Sequence, residues 1–381
     1  MTTGNPLRTT RRLLGRSAKI IAFATLAVVA LVALAGFLWI RSVQESFPEL
    51  TGSPEIGTWY GIYPEGARSA LGEPYHGIFR RGSSNNVMVL FNGGGAAVDA
   101  QTASGPDRAF NTDTGGDVLA RLGLGSDDAA NPFADWTVIN LPYTTGDFHI
   151  GAGDFTFQNA DGETETLHHN GFLNFDLVMA EIMPHLPAPE RLLISGYSAG
   201  GFAAALMADH VMGYFPETSD VTVAVDSALL LNDDWHGIAA NIWQPPAEIT
   251  RQITGDNLTL DALTALAADH PQVKVLFLSS IRDDALVEVQ EYFDTGTMRK
   301  TSAGGDAYEA ALADFVRALR AAVPNTAFYI FDTERSEENL TFHTALLLFS
   351  FTEGLAPITP AQWIANAVNG QIEDVGLDLL P

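Results

Sequence analysis

The chain has 381 residues, 46% of them hydrophobic and 17% charged, which suits one large globular domain or two smaller ones and shows no repeat or low-complexity tract. It contains no cysteine, which excludes disulfides and thiolate metal sites. Five of its 20 basic residues lie in residues 1–40, where there is no acid; the rest sets 15 basic against 46 acidic residues, a net of −31, a surface that repels nucleic acid and anionic lipid headgroups.

Ile20 to Ile40 is a run of 21 residues without a charge, long enough to cross a bilayer. The basic flank of residues 1–19 predicts a cytoplasmic N-terminus with the bulk of the chain outside. A signal anchor is the expectation. Ala33-Leu34-Ala35 also resembles a signal-peptide cleavage site, and Thr10-Arg11-Arg12-Leu13-Leu14 resembles a twin-arginine signal. Each reading exports the remainder of the chain, membrane-anchored and extracytoplasmic, or secreted if the segment is cut. Residues 41–56, with Pro48, Gly52 and Pro54, read as a linker, and the globular domain as 57–381.

Tyr75-His76-Gly77-Ile78-Phe79 and Val87-Met88-Val89-Leu90-Phe91 read as strands about the turn Arg81–Asn86. The second runs into Asn92-Gly93-Gly94-Gly95-Ala96-Ala97, where glycines let the backbone turn sharply and present bare N–H groups to a ligand. No Gly-Lys-Ser/Thr ending or Gly-x-Gly-x-x-Gly follows, so a phosphate loop is disfavoured. Residues 98–116 read as loop, with a short helix at 117–122. A strand at 136–141 leads into Pro142–Gly151, where Asp147 and His149 are candidates for lining a substrate site, or else a loop cap and a packed imidazole. His168-His169 precedes a helix, roughly 172–185. Adjacent residues on a helix do not converge on one point, so neither a metal nor any other cofactor is expected.

Arg191–Ser195 reads as a buried strand and Phe202–Ala208 as an Ala-rich helix. Between them lies Gly196-Tyr197-Ser198-Ala199-Gly200-Gly201. Strand, Gly-x-Ser-x-Gly, helix is the context of a nucleophile elbow, with the first helical amides aimed at a developing oxyanion. Further strands are expected at 221–225, 273–278 and 327–331, with helices at 306–322 and around 363–368. The alternation predicts an α/β fold with a mostly parallel sheet, helices on both faces, and catalytic groups at the C-terminal strand ends.

In such a fold the triad runs Ser, acid, His along the chain. Four histidines follow Ser198: His210, His236, His270 and His343. Only His343 follows the last strand. Asp283 and Asp284 end the strand before it and are inseparable by position; Asp226 also ends a strand. The chemistry expected is attack by Ser198 on an ester carbonyl, with His343 as base and amides near Gly95, Ala96 and Ala199 as the oxyanion hole.

Gly72-Glu73-Pro74-Tyr75, Phe91–Ala96, Tyr143–Gly151, Asn170-Gly171 with Asn174, the elbow and Asp226-Ser227, taken as an ordered set over roughly 57–370, resemble the pectin acetylesterase family with its Notum-like carboxylesterase branch. The resemblance implies an α/β-hydrolase fold, no metal and carboxylic-ester hydrolysis. It places the nucleophile on Ser198, the histidine on His343, the oxyanion loop on Gly95 and Ala96, and, through Ser280-Ile281-Arg282-Asp283, the acid on Asp283. Where the family has Trp-Cys after the glycines this chain has Ala96-Ala97. The resemblance therefore speaks to the reaction more than to the substrate: a small-molecule or polysaccharide ester, foremost acetyl. Longer acyl chains, or a catalytically silent tethered binding module, are the alternatives.

Overall fold

The computed structural model describes residues 46–105, 108–113 and 117–381. The expected membrane segment at 20–40 lies outside these. Among the described residues no helix is long and apolar enough to cross a membrane. One compact unit takes Phe47–Gly115 and Leu119–Pro381; the other, Met1–Ser46 with Gly116–Val118, falls almost wholly outside the described residues.

The unit is built on an eight-stranded sheet. In chain order its strands are β1 (Trp59–Ile62), β2 (Gly77–Arg80), β3 (Asn86–Phe91), β4 (Thr137–Leu141), β7 (Arg191–Tyr197), β8 (Asp220–Asp226), β9 (Lys274–Ser280) and β10 (Thr326–Phe331). A separate hairpin pairs β5 (Gly153–Gln158) with β6 (Thr164–His169). The spatial order is β1-β2-β4-β3-β7-β8-β9-β10, with β2 antiparallel to both its neighbours and every other pairing parallel. The main helices are α1 (Gly171–Ile182), α2 (Ala199–Leu206), α3 (Ala208–Gly213), α4 (Leu258–Asp269), α5 (Asp284–Thr295), α6 (Ser302–Ala322) and α7 (Pro360–Val368).

The strands are apolar throughout because both sheet faces are covered, so alternate residues enter different cores. On β9, Val275 and Phe277 join Phe202, Leu263 and Phe315 on one face. Leu276 and Leu278 join Trp363, Ile364 and Phe133 on the other. The seven expected strands are all present. β1 and the β5–β6 hairpin were not expected: β1 is only four residues with Gly61 inside it, and the hairpin is largely solvent-facing. Residues 98–116, expected as loop, contain a helical turn at Ala100–Ala103, fixed by a capping box in which Asp99 and Thr102 satisfy each other's amides. Contacts to β1 begin ahead of Gly57: Gly61 donates to Pro48 O and accepts from Leu50 N, and Phe47 stacks on Trp59.

The chain leaves β3 toward β4 on one side and β7 toward β8 on the other. The switch point between β3 and β7 is therefore the crevice where such sheets place ligands. The registers Phe91↔Gly196, Tyr197↔Asp226, Asp226↔Leu278 and Phe331↔Ser280 bring the loops that leave these strands to one edge.

Candidate active site

Ser198 sits at φ 56°, ψ −126°, a conformation few side chains adopt, between β7 and α2. Close packing enforces it. A Cβ on Gly196 would lie 2.0 Å from Gly200 O, one on Gly200 2.0 Å from Phe91 O, and one on Gly93 2.5 Å from Tyr197 O. Only glycine permits β3, β7 and α2 to meet this closely. Ser198 N–H donates to Asp226 O (2.9 Å), which fixes the turn to β8.

Asp283 follows β9 and caps α5. Its Oδ1 accepts from Ala285 N (3.1 Å) and Leu286 N (3.0 Å). The same carboxylate faces His343 Nδ1, with both oxygens at 2.8 Å. Asp283 is fully buried while the histidine side chain is 19% exposed. A backbone bridge pairs Asp283 with Thr341, so acid and histidine segments are stitched together. Asp284, inseparable from Asp283 by sequence position, turns the other way and pairs with Lys300 (2.5 Å). Burial pulls the His343 pKa down, but the charge and hydrogen bond of Asp283 outweigh it and the net shift is upward. With Nδ1 held by Asp283, Nε2 is the ring nitrogen left to exchange a proton.

Asp226, the other acid considered, has a different task. Its Oδ2 accepts from Ala345 N (2.7 Å) and Leu346 N (2.8 Å), and its Oδ1 from Ser227 Oγ (3.0 Å). Ser227 Oγ in turn accepts from Thr344 N (3.2 Å). Three successive amides after His343 are thus clamped to the end of β8. Full burial raises the Asp226 pKa to about 6 against these hydrogen bonds. Arg282, 2% exposed, ties the segment ahead of His343 to α6, donating to Asn339 O (2.6 Å) in the loop and to Ser302 O (2.8 Å) and Glu309 Oε2 (3.1 Å) on the helix. Of the other three histidines that follow Ser198, His210 pairs with Asp176 and His270 with Asp209, while His236 lies on the helical turn Trp235–Ile238.

Ser198 and His343 open on one cavity of about 170 Å³, which Gly95, Ala96 and Ala199 also line. The oxyanion expectation needs a correction at Ala96. Its N–H donates to Ala109 O (3.1 Å), because residues 94–96 bridge to 109–111. Gly95 and Ala199 line the cavity beside Ser198.

Asp147 and His149, candidates for lining the substrate site, do not line the cavity. They are 0% and 3% exposed and brace the loop from within. Asp147 accepts from Thr145 Oγ1 (2.6 Å), His149 N (3.0 Å) and Gly171 N (2.8 Å). His149 Nε2–H donates to Asn92 O (2.9 Å), and burial lowers its pKa to about 4, so the ring is neutral. What this brace presents is Phe148, at φ 51°, which lines the cavity and stacks on Phe202 (4.4 Å). Sequence reasoning passed over Phe148, because only the burial of Asp147 and His149 shows that the residue between them is the one turned to the cavity. His168 and His169 turn to different partners, Asp154 (2.7 Å) and Thr145 O (2.7 Å).

A serine on a strained strand-to-helix turn, with a His–Asp pair on the following loops of one parallel sheet, is the arrangement of the α/β-hydrolase class. Comparison with known proteins narrows this. A family model described as Pectinacetylesterase matches residues 73–242, a segment holding the glycine loop and Ser198. Pectin acetylesterase 4 of Arabidopsis thaliana is 26% identical over 166 residues, which is 42% of this chain and 39% of the relative. The match therefore spans about two-fifths of that relative's length. The Wnt deacylase Notum from Drosophila aligns at a TM-score of 0.53 over 81% of this chain and 92% of Notum, at 16% identity, a likeness of fold. The resemblance to the pectin acetylesterase family read from the sequence is thus met again in both the family model and the curated relative.

Proposed function

We propose that this chain is a serine carboxylesterase that works through an acyl-enzyme. Ser198 Oγ attacks the ester carbonyl carbon as its proton passes to His343 Nε2. Asp283 holds the imidazole in the correct tautomer and stabilises the imidazolium. The Gly95 and Ala199 amides take the negative charge of the tetrahedral intermediate. Collapse expels the alcohol, which leaves with the proton from His343. Water, deprotonated by the same base, then releases the acid. The observation that carries this reading is the convergence of Ser198 and the Asp283-bound His343 on one cavity.

The lining of that cavity favours the longer-acyl alternative over acetyl. Phe148, Phe202, Leu286, Val289 and Met298 offer hydrocarbon and no charge. An apolar cavity of about 150 Å³ holds a benzene-sized guest, so about 170 Å³ suits an acyl group of about six carbons, whereas acetyl fills only the mouth. The test is a p-nitrophenyl ester series on the purified protein and on Ser198→Ala. Turnover should fall by about 10⁴-fold or more in the variant, with fluorophosphonate labelling lost. Unchanged turnover by Ser198→Ala would sink the mechanism, and an acetate maximum would sink the acyl assignment. We further propose export of residues 57–381 by the 20–40 segment. Membrane fractionation with N-terminal sequencing checks this, and recovery of the uncut chain from the cytosol would overturn it.

A further inference from the structure

Beside the catalytic cavity lies a second, larger one of about 450 Å³, lined by Leu229, Leu231, Gln290, Phe293, Tyr308 and Ala311 among others. Phe293 borders both spaces. The wall between them has two parts. The extended segment after β8 alternates, with Leu230 facing the catalytic cavity and Leu229 and Leu231 facing the second one. Helix α5 is divided the same way: Leu286, Val289 and Tyr292 face the first space, Gln290 and Asp294 the second, and Phe293 stands on the seam. Gln290 ties the two parts together, accepting from Leu231 N (2.9 Å) and donating to Leu231 O (3.1 Å). Phe293 is half-buried and packs edge-on to the buried Trp235 at 5.2 Å.

We propose that Phe293 is a specificity-determining residue: its ring closes the distal end of the acyl cavity, and acyl length is set by that partition. This rests on the esterase reading above and names what bounds its substrate. The space beyond the ring has an apolar floor in Leu229, Leu231 and Ala311, with Asp233, Asp256 and Asp294 around it. It suits an uncharged hydrocarbon chain and repels one that ends in carboxylate.

The experiment compares kcat/KM for p-nitrophenyl decanoate and p-nitrophenyl butyrate. Each methylene newly buried contributes about 0.8 kcal/mol, roughly fourfold. Phe293→Ala should therefore raise the decanoate-to-butyrate ratio by about tenfold or more. Adding Ala311→Trp, which fills only the second space, should cancel the gain. Phe293→Trp should lower the ratio, and it carries the test if the alanine variant does not fold. A ratio unmoved by Phe293→Ala in a folded, active protein overturns the partition, as does a gain that survives Ala311→Trp. Ser198→Ala in the same series keeps the two readings apart: turnover independent of Ser198 overturns the esterase reading itself, while an unmoved ratio overturns the partition alone.

Discussion

The two halves of the candidate site are built in opposite ways. The Ser198 elbow is local: a buried strand, a turn that close contacts restrict to glycine, and a helix, all within one stretch of sequence. The His343 loop has no regular structure of its own, and distant groups hold it: Asp226 and Ser227 through three amides, Arg282 through Asn339, and Asp283 through the ring. Sterics make the first half rigid, so damage to it is damage to the fold. Polar clamps make the second half accurate, so damage to it should show first in the rate.

Substitutions graded along this contrast test it. Among these the largest effect is expected at Asp283: Asp283→Asn should lower kcat by about 10⁴-fold, since the amide favours the wrong imidazole tautomer. A loss of only a few-fold would mean that Asp283 is a helix cap and nothing more. Asp226→Ala releases the Ala345 and Leu346 amides and should lower kcat by about 10²-fold, the scale of a misplaced catalytic group, with KM little changed. Gly200→Ala makes the opposite case. Its Cβ would meet Phe91 O at 2.0 Å, so it should destabilise the protein by about 3 kcal/mol in a urea melt and lose activity together with folded protein. If Asp226→Ala unfolds the domain as readily as Gly200→Ala, the contrast fails. The smallest effect is expected at Asp284→Asn, which loses a partly exposed pair with Lys300 and should change turnover by no more than a few-fold.

The pH profile sharpens the same comparison. His343 must be neutral to accept the Ser198 proton, and its pKa is raised. Activity should therefore fall as pH drops through a midpoint above the ordinary value of about 6.5. In Asp283→Asn the residual activity should show that midpoint moved down, because the carboxylate that opposed burial is gone. A midpoint that stays in place would separate the acid limb from this pair.

Much of the fold was legible in the sequence because strands covered on both faces become continuous apolar runs, as Val87–Phe91 and Val275–Leu278 show. The β5–β6 hairpin was missed although Asp161-Gly162, a favoured hairpin pair, marks its turn; its exposed face breaks the apolar pattern. The roles of Asp147 and His149 stayed open between lining a site and bracing a loop for a related reason. A polar residue at the C-terminal end of a strand serves a site or braces a loop with the same side chain, and only burial tells the two apart.

Sequence by itself determined the parallel sheet and the strained serine turn, because strand pattern and glycine sterics act between neighbours along the chain. Only the tertiary structure decided that Asp283 rather than Asp284 meets His343, that the Ala96 amide is already engaged, that Asp226 clamps the histidine loop, and that one phenyl ring divides two cavities. Those are matters of direction in space. Adjacent residues at a helix start point different ways, and partners joined across 60 to 120 positions meet only once the sheet has brought its loops to one edge.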